Sequence, residues 1–325
     1  MKGLTKLALD IVMGAVVPIL ILNNLTKPLG APVAYVLAAL VPVTYVLVDT
    51  FFISRRFNVI TSYVALSAIM NGILAFWFVD GALYALNVEP DFITGETADW
   101  SQYRLLLVPP LYAAPDALLE RVARFVEQGG HAVVAFKSGF ANEHSTVRWV
   151  RAPGPLRKAA GFSYQEFSSL AAPVRLKPDR YGLGERNTAS VWAEMLLPEG
   201  AETVLSYDHP FFGQFPAVTL HQHGKGTLLY EGTYPSGELQ RALVMEALKR
   251  AGLDGADQRL PAAVKARHGE ALGRRLHYYL NASGEPAEFE YAHGGGVDLL
   301  SGRAAAKGST VRLEPWGVAV IEEGR

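Results

Sequence analysis

The sequence predicts a mixed fold: N-terminal transmembrane α-helices, then an α/β domain, then a small antiparallel β domain. Three observations predict it. Residues 7–25, 33–52 and 60–79 are apolar runs, each close to the ~20 residues that cross ~30 Å of hydrocarbon. From residue 83 onward, short apolar strands alternate with amphipathic helices. Beyond residue 257, short strands follow one another between glycine turns without an intervening helix. The expected domains are therefore a membrane region at 1–82, an α/β domain at 83–256 and a β domain at 257–325.

The first apolar run carries Asp10 and Pro18 and the second carries Pro42, so kinked helices are expected there. Lys2 and Lys6 precede the first run and Arg55 and Arg56 separate the second from the third, against Lys27 alone in the first loop. The positive-inside rule then places the N-terminus in the cytoplasm and the C-terminal region outside it, in a multi-pass membrane protein whose first partner is the lipid bilayer. No small-residue cleavage site follows the first run before Lys27, so a removed signal peptide is disfavoured. Asp10, Asn23, Asn24, Asp49 and Asn71 would face other helices or the interface.

In the α/β part, residues 87–93 and 103–108 read as strands and 115–128 as a helix, with Leu118, Leu119, Val122, Phe125 and Val126 on one face. Gly129 and Gly130 stop that helix, and residues 132–136 form the next strand. Strands without polar alternation at this spacing predict a βαβ unit and a doubly wound parallel sheet. Residues 204–207, 217–220 and 227–231 add strands, with a turn at 224–226, and Ser236 caps a helix over 236–251. A Gly/Ala/Pro-rich linker spans 252–263, and strands are expected at 275–280, 287–291, 297–300, 311–313 and 318–321.

Composition excludes several chemistries. The absence of cysteine removes disulfides, thiolate metal sites and a cysteine nucleophile. A formal charge of -1 with no basic run interleaved with aromatics argues against a nucleic-acid partner. His221 and His223 share a strand face, but without a third spaced ligand they read as solvated edge residues, and no metal or other cofactor is expected. Gly224, Lys225 and Gly226 lack the rest of a phosphate loop and read as a hairpin turn.

The most polar insert at a strand's carboxyl end is KSGFANEH. Its Lys137, Ser138, Asn142, Glu143 and His144 are the candidate site, read as polar interface or sugar-edge contact. Ser138 and His144 make no triad, because no G-x-S-x-G elbow frames the serine. Glu89 and Asp91 flank one expected strand while Glu143 and Glu194 occupy unrelated segments, so a glycosidase carboxylate pair is not expected among them. Trp100, Tyr103, Tyr112, Trp149, Phe162, Phe167 and Trp192 could serve as sugar platforms, but suit cores and interfaces better.

Two resemblances add to these readings. PILILNNLTKPLG, AALVPVTYVL and FISRRFNVI, within residues 5–80, resemble the opening of a bacterial family of integral membrane proteins of uncharacterised function. LNVEPDFITGETADWSQYRLLLVPPLY, FVEQGGHAVVAFKSGFANEH, PGPLRKAAGF, VWAEMLLPEGAETVLSY, FPAVTLHQHGKGTLLYEGTYP and LEPWGVAVI resemble, in the same order, the end of the bacterial family 42 β-galactosidases. That resemblance covers residues 84–323 and implies a flavodoxin-like or class I amidotransferase-like trimerisation domain followed by a small β domain. It also implies a preceding catalytic TIM barrel, which carries the family's two catalytic glutamates and has no counterpart here. The chain alone is thus expected to lack β-galactosidase activity.

The resemblance further implies a homo-oligomer, with a trimer the expected state. The leading function is then a membrane-anchored, non-catalytic assembly module derived from a β-galactosidase. One alternative is the accessory part of a divided family 42 enzyme that hydrolyses terminal β-galactosides with a barrel on another chain. Another is a ligand-sensing membrane protein.

Overall fold

The structure is a computed structural model that describes residues 81–93, 99–271 and 273–324, together with single helical positions at 17, 20 and 41. The chain divides into two compact units, 1–80 and 81–325. The second is described below.

The expected transmembrane helices require correction. Among the described residues, no helix is long and apolar enough to cross a membrane. The runs at 7–25, 33–52 and 60–79 lie outside the described residues, single positions aside. Where the chain emerges from the third run, its apolar side chains are buried in protein. Helix α1 (Gly81–Ala85) packs on the later helix α4 (Gly237–Arg250), and Ala82, Leu83 and Leu86 are enclosed there. An apolar run reports burial, and burial against protein selects the same residues as burial in lipid. The membrane part of the fold class, the bilayer partner, the multi-pass location and the exported topology are accordingly not carried further.

The α/β domain is built on a mixed eight-stranded sheet in the order β1-β2-β9-β8-β7-β4-β5-β10. Strands β1 (Leu105–Val108), β2 (His131–Ala135) and β9 (Gly226–Glu231) run parallel, as the βαβ reading expects. Beyond β9 the sheet becomes antiparallel, as the hairpin turn read at 224–226 implies. Strand β8 (Pro216–His223) returns antiparallel through the turn at Gly224–Lys225, and β7 (Glu202–Tyr207), β4 (Phe167–Lys177), β5 (Thr188–Glu194) and β10 (Thr233–Pro235) continue antiparallel. A two-residue connection cannot make a parallel crossover, so the turn itself dictates the reversal.

Helices cover both faces of the parallel part. Helix α2 (Asp116–Glu127) buries Leu119, Val122 and Val126 with Ala132, Val134, Leu228 and Tyr230. Helix α4 buries Leu239, Leu243 and Ala247 with Val133 and Leu229 on the opposite face. The period-2 alternation of strand side chains divides the same two strands between two cores. Close approach at the strand starts requires glycine: a Cβ on Gly226 would lie 1.9 Å from the Gly130 carbonyl oxygen.

Residues 88–93 have no strand partner, correcting the strand expected at 87–93. Asn87 instead joins the two halves of this unit. Its Nδ2 donates to the Asp257 and Val264 carbonyls at 3.2 and 3.1 Å, and its Oδ1 accepts from Ala266 N at 3.0 Å.

In the β domain, β11 (Val264–Ala271), β12 (Arg274–Asn281), β17 (Val318–Glu323), β14 (Gly296–Asp298) and β15 (Ala304–Ala305) form one antiparallel sheet. Strands β13 (Ala287–Glu290) and β16 (Thr310–Leu313) pair beside it. Tyr279, Phe289, Tyr291, Leu313 and Ile321 fill the core between them. An α/β domain followed by a small antiparallel β domain is the architecture of the described residues.

Candidate functional site

The carboxyl end of β2 runs into Phe136 and Lys137, and Lys137 adopts a left-handed φ of 60°. A non-glycine residue in this region costs on the order of 1 kcal/mol and persists only where its surroundings hold it. Glu194, at the end of β5 and wholly buried, is the holder. Its Oε1 accepts from Lys137 N at 2.7 Å and from Trp192 Nε1 at 3.2 Å, while its Oε2 accepts from the Tyr230 hydroxyl at 2.9 Å. The Tyr207 hydroxyl reaches the Glu194 carbonyl oxygen at 3.3 Å.

Burial pushes the Glu194 carboxyl up to about 7, against the opposing pull of the Lys137 amide and the Tyr230 and Trp192 donors. The phenol of Tyr230 is pushed far above its ordinary range by burial and then by the Glu194 charge. Burial also holds the Lys137 ammonium below the usual lysine range, with Glu194 pulling the other way. A carboxyl enclosed this completely has no route to a substrate. It latches the loop.

The latched loop presents a ladder of rings. Lys137 Nζ stands 3.7 Å over the Trp192 ring, Phe167 stacks on Trp192 at 4.7 Å, Phe140 meets Phe167 edge-on at 5.7 Å, and Tyr112 stacks on Phe140 at 5.4 Å. Phe167 is 43% exposed, and Tyr112, Phe140 and Trp192 are half-buried, so the ladder faces outward. An ammonium on an aromatic face beside further rings suits a polar-rimmed protein interface or a sugar edge.

The five candidate residues separate into four settings. Ser138 is buried, donating to the Ala135 carbonyl at 2.7 Å and accepting from Leu111 N at 3.1 Å, so its hydroxyl is committed to backbone. Asn142 Oδ1 accepts from His144 N at 3.0 Å and Thr146 N at 2.9 Å, shaping its own turn. Glu143 and His144 pair at 3.6 Å on the surface. Lys137 alone of the five joins the ring ladder.

Sequence reasoning missed two supports. Arg148 buries its guanidinium among the Gly139, Ala141 and Ala114 carbonyls and pairs with Asp116 at 2.6 Å, tying the loop to the start of α2. Gly139 has φ +74°, and a Cβ there would fall 2.3 Å from the Pro153 carbonyl oxygen. Glu194 and Trp192 are two apart on one strand, which was a legible signal of a shared face. Of the other aromatics, Trp100 and Phe162 are core and Trp149 is fully exposed. His221 is half-buried, with Nδ1 at 2.9 Å from the Ala159 carbonyl, rather than a solvated edge residue. At the opposite end of the sheet, a 560 Å³ cleft lies between Trp100, Arg121 and Arg124, where the Arg121 guanidinium covers the Trp100 ring at 4.1 Å.

Comparison with known proteins decides the family. The model described as "Beta-galactosidase trimerisation domain" matches residues 74–254, more than half of the chain. The chain belongs to the β-galactosidase trimerisation-domain family. A second model, "Beta-galactosidase C-terminal domain", matches residues 272–323. Both are β-galactosidase domains and neither is a membrane family. The first begins inside the expected third span, which overturns the resemblance of residues 5–80 to an integral membrane family.

The β-galactosidase BgaP of Planococcus sp. strain L4 is 28% identical over 244 residues, covering 74% of this chain and 36% of the relative. BglY of Alicyclobacillus acidocaldarius is 31% identical over 247 residues, again covering 74% of this chain and 36% of the relative. Among solved structures, the β-galactosidase of Bacillus circulans sp. alkalophilus superposes with TM-score 0.65 at 26% identity, over 76% of this chain and 36% of that one. The β-galactosidase of the haloarchaeon Halorubrum lacusprofundi superposes with TM-score 0.62 at 27% identity, over 81% of this chain and 38% of that one. The chain thus spans little more than a third of the relatives it matches.

Proposed function

We propose that this chain is the non-catalytic accessory part of a divided family 42 β-galactosidase, acting on terminal β-galactosides with a catalytic barrel carried by another chain. The observation that carries this reading is the ordered match to two adjoining β-galactosidase domains, at 74–254 and 272–323, within a chain spanning 36% of BgaP. Among the described residues there is no eight-stranded parallel barrel.

In this reading the trimerisation-type domain forms a homo-trimer that gathers barrels. Closed cyclic symmetry repeats one interface three times. The ladder from Lys137 through Trp192, Phe167 and Phe140 to Tyr112 is the surface that meets the barrel, and Glu194 holds it in place. Rings supply large contact area at low entropic cost, which is why such positions dominate interfaces.

The test is reconstitution. A family 42 barrel chain from the same organism, lacking its own trimerisation and C-terminal domains, is assayed on a chromogenic β-galactoside alone and with this chain. At least a tenfold gain on mixing, abolished by Trp192→Ala, supports the reading. Activity no greater than the sum of the separate chains, or the absence of any such barrel chain, overturns it.

A further inference from the structure

The β domain brings together three histidines that no motif joins in the sequence. His268 on β11 lies directly opposite His277 on β12 in the antiparallel register, so the two side chains share a face. His293 arrives from the loop after β13 and stacks on His277 with ring centroids 4.0 Å apart and planes within 16°. The His268 ring stands 4.8 Å from that of His277 and 4.7 Å from that of His293. One ring nitrogen from each residue falls within a set whose members all lie within 4.8 Å of one another.

The nitrogens are oriented as ligands would be. His268 Nε2 is 2.7 Å from Asp257 Oδ2, which leaves its Nδ1 facing inward, where it lies 2.7 Å from His277 Nδ1. Two Nδ1 atoms at that distance share one proton, since two N–H groups cannot point at each other. A carboxylate behind a histidine is the usual device for fixing the tautomer and ring orientation of a metal ligand. The second carboxylate, Glu323 on β17, stands 3.1 Å from His277 Nε2, out of line for a hydrogen bond.

A hydrogen-bonded core network would satisfy these rings, and this one does not. The buried Nε2 of His293 has no hydrogen-bond partner, with Asp257 Oδ1 3.8 Å away, while His277, 5% exposed, turns its Nδ1 to His268 and its Nε2 toward Glu323. A buried polar atom left without a partner is costly, and a metal ligand's nitrogen is not. Tetrahedral zinc with bonds of about 2.0–2.1 Å sets its nitrogen ligands about 3.3 Å apart. Separations from 2.7 to 4.8 Å bracket that spacing, so small ring rotations close the set. Imidazole ligands favour zinc, copper and nickel over magnesium or calcium.

We propose that His268, His277 and His293 bind one divalent transition-metal ion, zinc by preference, with Asp257 orienting His268 from behind. The three ligands come from two strands and a loop, and Asp257 comes from the 3-10 turn Asp257–Arg259 in the segment leading out of the α/β domain. The ion therefore pins that connection to the β domain and acts structurally, independently of any barrel.

The experiment uses the untagged full-length chain after dialysis against a chelator. Zn2+ is titrated in competition with a chromophoric chelator, and Co2+ is followed by its visible absorption. The expected result is one equivalent per chain, intense visible Co2+ bands typical of a tetrahedral site, and a thermal midpoint that rises with Zn2+. Replacing a ligand should cost at least as much as losing an outer partner, so His293→Gln is expected to weaken binding about 100-fold, and Asp257→Asn about 10- to 100-fold. His223→Gln, on the other domain, leaves binding unchanged. Circular dichroism verifies folding, and His268→Gln replaces His293→Gln if the latter does not fold. Absence of a saturable one-equivalent phase, or His293→Gln and His268→Gln binding Zn2+ as tightly as the parent chain, overturns the proposal and leaves a hydrogen-bonded cluster.

Discussion

Glu194 and Glu231 give the α/β domain a pH response that can be signed in advance. Both carboxyls are wholly buried and raised by burial, Glu194 to about 7 and Glu231 to about 8, from 4.5. The folded state holds these protons more tightly than the unfolded state does. Their contribution is therefore complete below pH 4.5 and is lost as pH rises through 7 and 8. Shifts of this size correspond to about 3 kcal/mol for Glu194 and about 5 kcal/mol for Glu231. Urea unfolding between pH 5 and 8 should show falling stability, and Glu194→Gln or Glu231→Gln should each flatten the slope. Glu231→Gln is the simpler case, because one oxygen accepts from Gln240 Nε2 at 2.8 Å and the other has no partner. An unchanged slope in both variants would contradict the assigned burial. Gly139→Ala forces a Cβ toward the Pro153 carbonyl at an unfavourable φ and should cost at least about 1–3 kcal/mol by the same assay. At this scale the sequence exposed Lys137 and Ser138 as a polar insert after a strand, but not their unlike fates. Latching of Lys137 depends on Glu194, 57 residues away, arriving on an antiparallel strand, while Ser138 is held by the Ala135 carbonyl and Leu111 N. The three clustered histidines were hidden for the same reason: hairpin register, not spacing, assembles them.

Helices α2 and α4 were legible because their stripes and caps are local. Pro115 and Gln128 flank α2 as its caps, and Ser236 Oγ accepts from Leu239 N at 3.2 Å at the start of α4. Ser236→Ala should therefore cost about 1 kcal/mol of unfolding free energy. Arg148→Ala should cost more, about 1–3 kcal/mol for each enclosed carbonyl it leaves without a donor, while Asp116, largely exposed, turns to solvent. Equal losses from the two variants in chemical denaturation would count against that ranking. The β4–β5 hairpin escaped sequence reading because β4 is exposed or half-buried along nearly its whole length and contains Pro173, so it carries no apolar alternation. Only β1, β2 and β9 pair in parallel and the other five pairings of the sheet are antiparallel, a reversal that the GKG turn at Gly224 already implied. The apolar runs at 7–25, 33–52 and 60–79 show the opposite hazard. Length and apolarity match a membrane span, but Leu83 and Leu86, just beyond the third run, are buried against protein. Apolarity alone does not name the solvent that a helix avoids.

Across the whole molecule, the α/β and β domains form one compact unit joined through Asn87 and the segment leading to β11. Within that unit Glu194 is enclosed and surface Glu143 lies against His144. Function at this scale depends on surfaces that meet other copies and other chains. The most direct measurement is the molar mass, by light scattering, of the full-length chain mixed with a family 42 barrel chain from the same organism. The prediction is a trimer of this chain alone and a complex holding three of each chain on mixing, reduced to separate components by Trp192→Ala. A monomer that stays apart from the barrel chain at high concentration would contradict the assignment as the accessory part of a divided β-galactosidase.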